Sequence, residues 1–409
     1  MRRKREEHAV SGALCQVIGC GPAALGLALA ADRRAELPRL LAEGTAFLDR
    51  SPTPAALGGL RFPFLIDANS VGRDFFAGVR ADGAFAAALH GRAGRQLRER
   101  HDRGVPLRLV GAFMNDLSRA VEDVLPDGFT YGADVRGVRR NRDGSWTSVD
   151  GAGSALVTSE SVVLATGGYE DTARVCRRYG VPPGRLIGSA QLLSGRLDEA
   201  ARVIGSGGRI AVLGGSHSGF AAAQLLLDRF GDGIPAGGLV LVHRSISLSY
   251  ADLSETESVP AALVGRLETC PESGVINRFH GLRSGPRELC LRALQGREPR
   301  LTLRESGSAG ARTALAEAGL VVHALGYRTR EVPLFDQWGQ RIPTGDGTVA
   351  VDDRCRVLDA DRTPVPGVFG LGLGYARSDA WGRRRVGINT FHGEDAERIV
   401  SQVLATAMV

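Results

Sequence analysis

Two glycine-rich hexapeptides carry the clearest chemistry in this 409-residue chain. The first, Gly19-Cys20-Gly21-Pro22-Ala23-Ala24, follows an apolar run from Ala13 to Ile18 and precedes another from Leu25 to Ala31. In a strand–turn–helix unit Gly19 permits the tight turn and Gly21 lets the backbone approach a pyrophosphate. Ala24 is small enough for helix to lie on strand. The helix start then offers free N–H groups and a positive dipole end to phosphate. The next apolar segment, Ala46-Phe47-Leu48, ends in Asp49, whose carboxylate can accept from a ribose diol. Asp49 lies 30 residues beyond Gly19. The usual separation is roughly 20, and a longer helix and loop through Gly44 accommodate the difference.

The second hexapeptide is Gly214-Gly215-Ser216-His217-Ser218-Gly219, between a strand at 209–213 and a helix from Phe220 to Phe230. The strand after it, Leu239 to Val242, runs into His243-Arg244-Ser245. A guanidinium stands where the first unit has its acid. It can pair with a 2′-phosphate that a carboxylate would repel, which favours NADPH over NADH.

These loops need parallel strands to hold them. Ser161 to Leu164 and Leu320 to Ala324 read as two more buried strands, running into Thr166-Gly167-Gly168 and Gly326-Tyr327. Phe129 to Arg140 and Ser145 to Val149 read as a hairpin about Asn141-Arg142-Asp143-Gly144. The charge-free stretch from Ala9 to Ala31 resembles a leader or a spanning helix, but Gly19-Cys20-Gly21-Pro22 would break a membrane helix and belongs in a strand–turn–helix. A cytoplasmic enzyme with no membrane association is expected.

Composition narrows the class. The chain is 43% hydrophobic and 23% charged, as an ordinary globular protein is. Its charge of +6 suggests a nucleic-acid partner, but Lys4 is the only lysine and the arginines are scattered among 45 carboxylates. No nucleic acid is expected. The six cysteines form no Cys-x-x-Cys pair and no cluster with histidine, so neither a metal site nor a redox dithiol is implied.

In order of elements the chain resembles the two-dinucleotide-binding-domain flavoproteins, and within them the flavin-containing and N-hydroxylating monooxygenases. Gly19, Gly21, Pro22, Ala23 and Ala24 match the FAD loop, Asp49 with Arg50 the ribose acid, and Ala165-Thr166-Gly167 a second FAD contact. Gly214, Ser216, His217, Ser218 and Gly219 are similar to the family's NADPH loop, with Arg244 and Ser245 at the 2′-phosphate. Ala324-Leu325-Gly326-Tyr327 resembles the Ala-Thr-Gly-Tyr signature of the N-hydroxylases, with leucine replacing threonine. Gly372 and Gly374 flank Leu373 where many relatives have a Gly-Asp pair, so only backbone contacts to FAD are implied there. Asn69 and Ser70 match a pair that lies beside flavin and nicotinamide in the family and are the catalytic candidates.

The resemblance implies an α/β fold of two Rossmann-like domains, the NADPH domain (171–324) inserted into a discontinuous FAD domain (1–170 and 325–409). It implies an NADPH-dependent FAD monooxygenase that forms a C4a-hydroperoxyflavin and hydroxylates a small amino-acid-like metabolite with O2, at nitrogen. An amine of pKa near ~10 would have to be bound uncharged. Asn277, Arg278 and Phe279 resemble a family segment over the flavin, and Asn389 and His392 lie in a polar run read as substrate-facing. Hydroxylation of an aromatic carbon, also on a carrier- or peptide-bound amino acid, and a non-catalytic FAD/NADPH-binding regulator stay open as alternatives. So does an FAD-dependent RNA-modifying protein, for which the motifs give no support.

Overall fold

The computed structural model describes residues 10–52, 64–259, 267–270, 274–278, 281–345, 349–375, 377 and 392–406. Phe279, Asn389 and the arginine run 383–385 lie outside them, and Asn69 is described by its backbone alone.

The chain opens with β1 (Val10–Ile18), buried from Ala13 onward. It turns through the first glycine loop into α1 (Pro22–Arg33), whose alanines and leucines are buried from Ala23 to Ala31. A helix apolar on all sides must be covered on all sides. A second sequence-distant helix and one nearer in the chain supply that cover, as described below. β2 (Thr45–Asp49) pairs in parallel with β1, Cys15 opposite Thr45 through Ile18 opposite Leu48. β3 (Asp67–Val71) pairs with β4 (Gly104–Pro106) in a separate two-stranded sheet. α2 (Leu107–Val124) follows, burying Val110, Phe113, Met114, Leu117 and Val121 at helical spacing against α1.

The hairpin read over 129–149 is shorter than expected. β5 (Phe129–Tyr131) instead extends the parallel edge beside β2, with Phe47 and Phe129 stacked at 4.8 Å. Gly132, at φ +75°, takes the chain out of that strand. The hairpin proper joins β6 (Gly137–Arg140) to β7 (Trp146–Val149) through the predicted turn, closed by Asn141 N–H to Ser145 O at 2.7 Å. β8 (Ala155–Leu164) is two strands in one. Its first half runs antiparallel to β7 and its second half parallel to β1.

β9 (Gly168–Tyr169) leads into a second sheet. That sheet comprises β10 (Leu186–Gly188), β11 (Ile210–Leu213), β12 (Leu239–His243), β13 (Leu301–Glu305) and β14 (Leu320–His323) in the order β10-β14-β11-β12-β13, all parallel. Its central strands are buried on both faces, as a helix-covered parallel sheet requires. α3 (His217–Phe230) follows β11 and packs on α4 (Ser284–Leu294).

The return strand β15 (Arg328–Thr329) pairs antiparallel with β9. Beyond it β16 (Leu334–Phe335), β17 (Arg341–Ile342), β18 (Arg356–Leu358) and β19 (Pro364–Gly370) rejoin the first sheet, β19 lying parallel to the second half of β8. α5 (Glu394–Thr406) then packs its Ile399, Val400 and Val403 face on α1, completing the cover of that helix. The fold is two Rossmann-like domains, the second inserted into a discontinuous first. No described helix is long and apolar enough to cross a membrane.

Candidate functional site

Three loops meet at the carboxyl ends of β1, β8 and β19, where open parallel sheets place their ligands. Gly19 has φ +94°, and a Cβ there would come within 2.7 Å of Ala165 O. Only glycine fits. Gly372 faces the Ala23 methyl, with a Cβ placed 2.8 Å from it, and Gly374 lies over Gly167 O at 2.4 Å by the same measure. These close approaches lock the loops to one another. Gly21 is different. It caps α1 with no side-chain hydrogen bond, and a Cβ there would meet nothing within 4 Å. The helix start thus faces open space with its amides uncapped, which suits a pyrophosphate.

Asp49 stands at the end of β2, buried, and both its oxygens receive main-chain donors: Cys20 N–H at 2.8 Å and Ser51 N–H at 2.8 Å. The carboxylate therefore braces the glycine loop, and an ionised carboxylate has further lone pairs for a ribose. Arg50 beside it is exposed. The Thr166 hydroxyl is held within the protein, 2.5 Å from Arg330 O and 2.9 Å from the Tyr375 hydroxyl. Burial pushes the Tyr375 phenol up, so it stays a neutral donor. Leu373 is part-exposed and presents no polar group.

The second loop repeats the design. A Cβ on Gly214 would lie 2.3 Å from Ala324 O, and one on Gly219 2.0 Å from Gly214 O. Ser216 caps α3 without a side-chain hydrogen bond, Ser218 lies in its first turn, and Arg244 and Ser245 are exposed just past β12. His217 opens the helix with Nδ1 buried and without a hydrogen-bond partner among the described residues. Burial, then the Arg283 guanidinium, push this imidazole down to about 4, so it is neutral near pH 7. Gly326 (φ +85°) and Tyr327 lead into the β9–β15 ribbon. Burial, then Glu170, raise the Tyr327 phenol to about 12.

Between the domains lies a cleft of about 260 Å³, lined among others by Ile66, Asp67, His217, Gln224, Asp228 and Ser284. β3 forms one wall, so Asn69 and Ser70 follow closely on its lining residues. The Ser70 hydroxyl is buried and has no hydrogen-bond partner among the described residues.

Two residues expected at the substrate are held differently. Asn277, at φ +53° and buried, accepts from Glu268 N–H at 3.0 Å and donates to Leu248 O at 3.1 Å. Its amide is occupied by main chain, so it shapes the loop rather than facing a ligand. His392 donates from Nε2 to Asp74 O at 2.9 Å, while its own carbonyl accepts from Arg33 Nη2 at 2.5 Å. It braces the C-terminal segment against α1 and the short helix Arg73–Phe76. Arg278 does face the boundary, its Nη2 3.4 Å from Asp74 Oδ1. Asp74, Arg283 and Tyr375 were not singled out in the sequence. One arginine among fifty and one tyrosine after a glycine turn carry no spacing that marks them.

None of the six cysteines forms a disulfide among the described residues, and burial raises the Cys15 and Cys355 thiols to about 12, far from a reactive thiolate. Among the described residues no three His, Cys, Asp or Glu side chains cluster as a metal site.

No protein-family model matches the chain. A curated protein described as CMP-5'-(3-aminopropyl)phosphonate hydroxylase, from Streptomyces rubellomurinus (strain ATCC 31215), is 29% identical over 410 residues, covering 90% of each chain. Among solved structures, the ornithine N-hydroxylase of Kutzneria sp. 744 is similar at TM-score 0.56 and 17% identity over 96% of this chain and 99% of that one. The L-lysine 6-monooxygenase of Pseudomonas syringae is similar at TM-score 0.60 and 16% identity over 97% and 100%. The ornithine hydroxylase of Pseudomonas aeruginosa is similar at TM-score 0.58 and 16% identity over 97% and 100%. These likenesses establish the fold: two dinucleotide-binding domains arranged as in the ornithine and lysine hydroxylases.

Proposed function

We propose that the protein is an NADPH- and FAD-dependent monooxygenase that hydroxylates the amine nitrogen of a small aminoalkyl metabolite bearing an anionic group. The observation that carries this reading is the pair of uncapped helix starts, at Gly21 and Ser216, each following a buried strand of a parallel sheet. The absence of a paired dithiol among the described cysteines removes the disulfide-reductase reading of the same fold. The solved neighbours named for ornithine and lysine support nitrogen as the target, and the curated relative, named for a CMP-linked aminopropylphosphonate, supports an aminoalkyl substrate.

In this reading residues 1–170 and 325–409 hold FAD. Gly19 to Ala24 and Gly372 to Gly374 take its pyrophosphate and linker, Asp49 its ribose, and Thr166 and Gly167 the far wall. Residues 171–324 hold NADPH, with Gly214 to Gly219 on the pyrophosphate and Arg244 and Ser245 on the 2′-phosphate. Bound there, reduced FAD would supply the electrons that let O2 give one oxygen atom to substrate and one to water. The balance is amine, O2, NADPH and H⁺ to hydroxylamine, NADP⁺ and water. The chain's own part is to position the reactants and exclude water. Asn69 and Ser70 lie on the strand that walls the cleft and are the polar groups placed to hold substrate or nucleotide.

The test is the purified protein with NADPH in air. A yellow flavoprotein whose oxygen uptake rises with an aminoalkyl substrate, and whose product gains one oxygen atom on nitrogen, is expected. Colourless protein that takes up no flavin on reconstitution overturns the reading.

A further inference from the structure

At the carboxyl end of the first sheet stand two arginines that no described carboxylate neutralises. Arg50 directly follows β2 and is exposed. Arg330 directly follows β15 and is half-buried. Its main chain is pinned to the loop after β8: the N–H donates to Gly167 O at 3.0 Å, and the carbonyl accepts from the Thr166 hydroxyl at 2.5 Å. Among the described residues neither guanidinium makes an ion pair or a hydrogen bond. The acids beside them in sequence are engaged elsewhere. Both oxygens of Asp49 receive main-chain N–H groups, and Glu331 pairs with Arg341 at 2.8 Å.

The two guanidiniums also act on each other. Burial first, and then the charge of Arg50, lower the Arg330 guanidinium from its ordinary value, with Tyr169 opposing the shift. A guanidinium keeps its proton throughout the physiological range all the same, so the positive charge persists.

Their anchoring fixes where that charge sits. β1 lies between β2 and β8 in the sheet. Arg50 leaves the end of one flanking strand, and Arg330 is bonded to the loop beyond the other. The pair therefore brackets the end of β1, where Gly19 to Gly21 turn into α1 and its uncapped amides face open space. A helix start and two forked guanidiniums meeting at one place suit an anion of more than one charge, and phosphate oxygens match the fork.

We propose that Arg330, together with Arg50, binds the diphosphate of FAD, and that ionic strength therefore governs uptake of the flavin. This rests on the flavoprotein reading for the identity of the ligand, and on the unpaired arginines for the diphosphate.

The test is binding to the flavin-stripped full chain, with FAD followed by fluorescence and with ADP and adenosine followed by calorimetry. Arg330→Gln is expected to weaken FAD by about tenfold or more, and Arg330→Lys by less. Both Arg330→Gln and Arg50→Gln should flatten the fall of FAD affinity with added salt. ADP should bind about tenfold or more tightly than adenosine in the unaltered chain, a preference lost in the double Gln variant. The melting temperature of flavin-free Arg330→Gln should stay level or rise, because one of two like charges is gone, and NADP⁺ affinity should not change. A merely structural arginine would instead lower the melting temperature and weaken adenosine as much as ADP, and that result overturns the proposal. Equal FAD affinity and equal salt dependence in Arg330→Gln and the unaltered chain overturn it too. Should the unaltered chain take up no FAD while ADP still binds through Arg330, the flavoprotein reading falls and the diphosphate site stands. Binding of neither removes both.

Discussion

The Asp74 carboxylate accepts from the Arg278 guanidinium at 3.4 Å although the two lie 204 positions apart, which ties the insertion to the domain it interrupts. Asp74 also holds His392 through its main-chain oxygen. One residue therefore joins three segments distant in the chain.

Removing that carboxylate takes away the acid paired with the largely buried Arg278 guanidinium. Asp74→Asn is expected to cost about 1–3 kcal/mol in urea unfolding. Added phosphate should restore part of the loss, because an anion from solution replaces the missing charge. An unchanged midpoint with and without phosphate would show that the pair is not coupled.

Gly19 and Gly21 separate packing from ligand binding. Gly19→Ala places a methyl 2.7 Å from Ala165 O at φ +94°, and should destabilise the apoprotein by about 1–3 kcal/mol. Gly21→Ala meets open space at φ −78°. It should leave apoprotein stability near that of the unaltered chain and lower FAD retention by about tenfold or more, a steric loss worth some 1.4 kcal/mol or more. Thermal melts and flavin absorbance after desalting read the two effects independently.

Arg244 is exposed past the end of β12 and, in the proposed reading, meets the 2′-phosphate. Arg244→Gln should raise KM for NADPH by about ten- to a hundredfold while leaving KM for NADH nearly unchanged. Equal effects on both nucleotides would place the residue elsewhere.

Acid should unfold the protein early. Burial lowers the imidazoles of His217, His243, His323 and His392, with His217 pushed down to about 4. Below the ordinary value of 6.5 the unfolded chain takes up protons that the folded one refuses, so stability falls as pH drops from about 6.5 towards 4. His217→Gln keeps a polar side chain that does not titrate and should flatten that slope. Urea midpoints measured across this window check the sign.

Much of this was legible in the sequence. The two glycine loops, the strands entering them and the terminal Asp49 and Arg244 are local patterns, fixed by turn sterics and by buried parallel strands. Phe129 to Tyr131 was misassigned because an apolar tripeptide fits a hairpin arm and a parallel edge equally well. Its partner, Phe47, lies 82 positions away and leaves no local trace. The polar residues were harder. Asn277 and His392 have side chains suited to substrates, yet each satisfies main-chain groups brought to it by the fold. Arg283 shows the converse: nothing in an arginine-rich chain distinguishes it until burial leaves its Nε without a hydrogen-bond partner among the described residues.

The lateral bond between β8 and β19 also sets a timetable for biosynthesis. The inserted sheet has all five of its strands once His323 has left the ribosome, whereas the first sheet waits for Pro364 to Gly370 and the final helix. The inserted sheet thus completes before the one it interrupts, and in the proposed reading FAD is captured only after these last strands are made. A chain stopped before Pro364 should yield a folded insertion that remains colourless, detectable by limited proteolysis and absorbance.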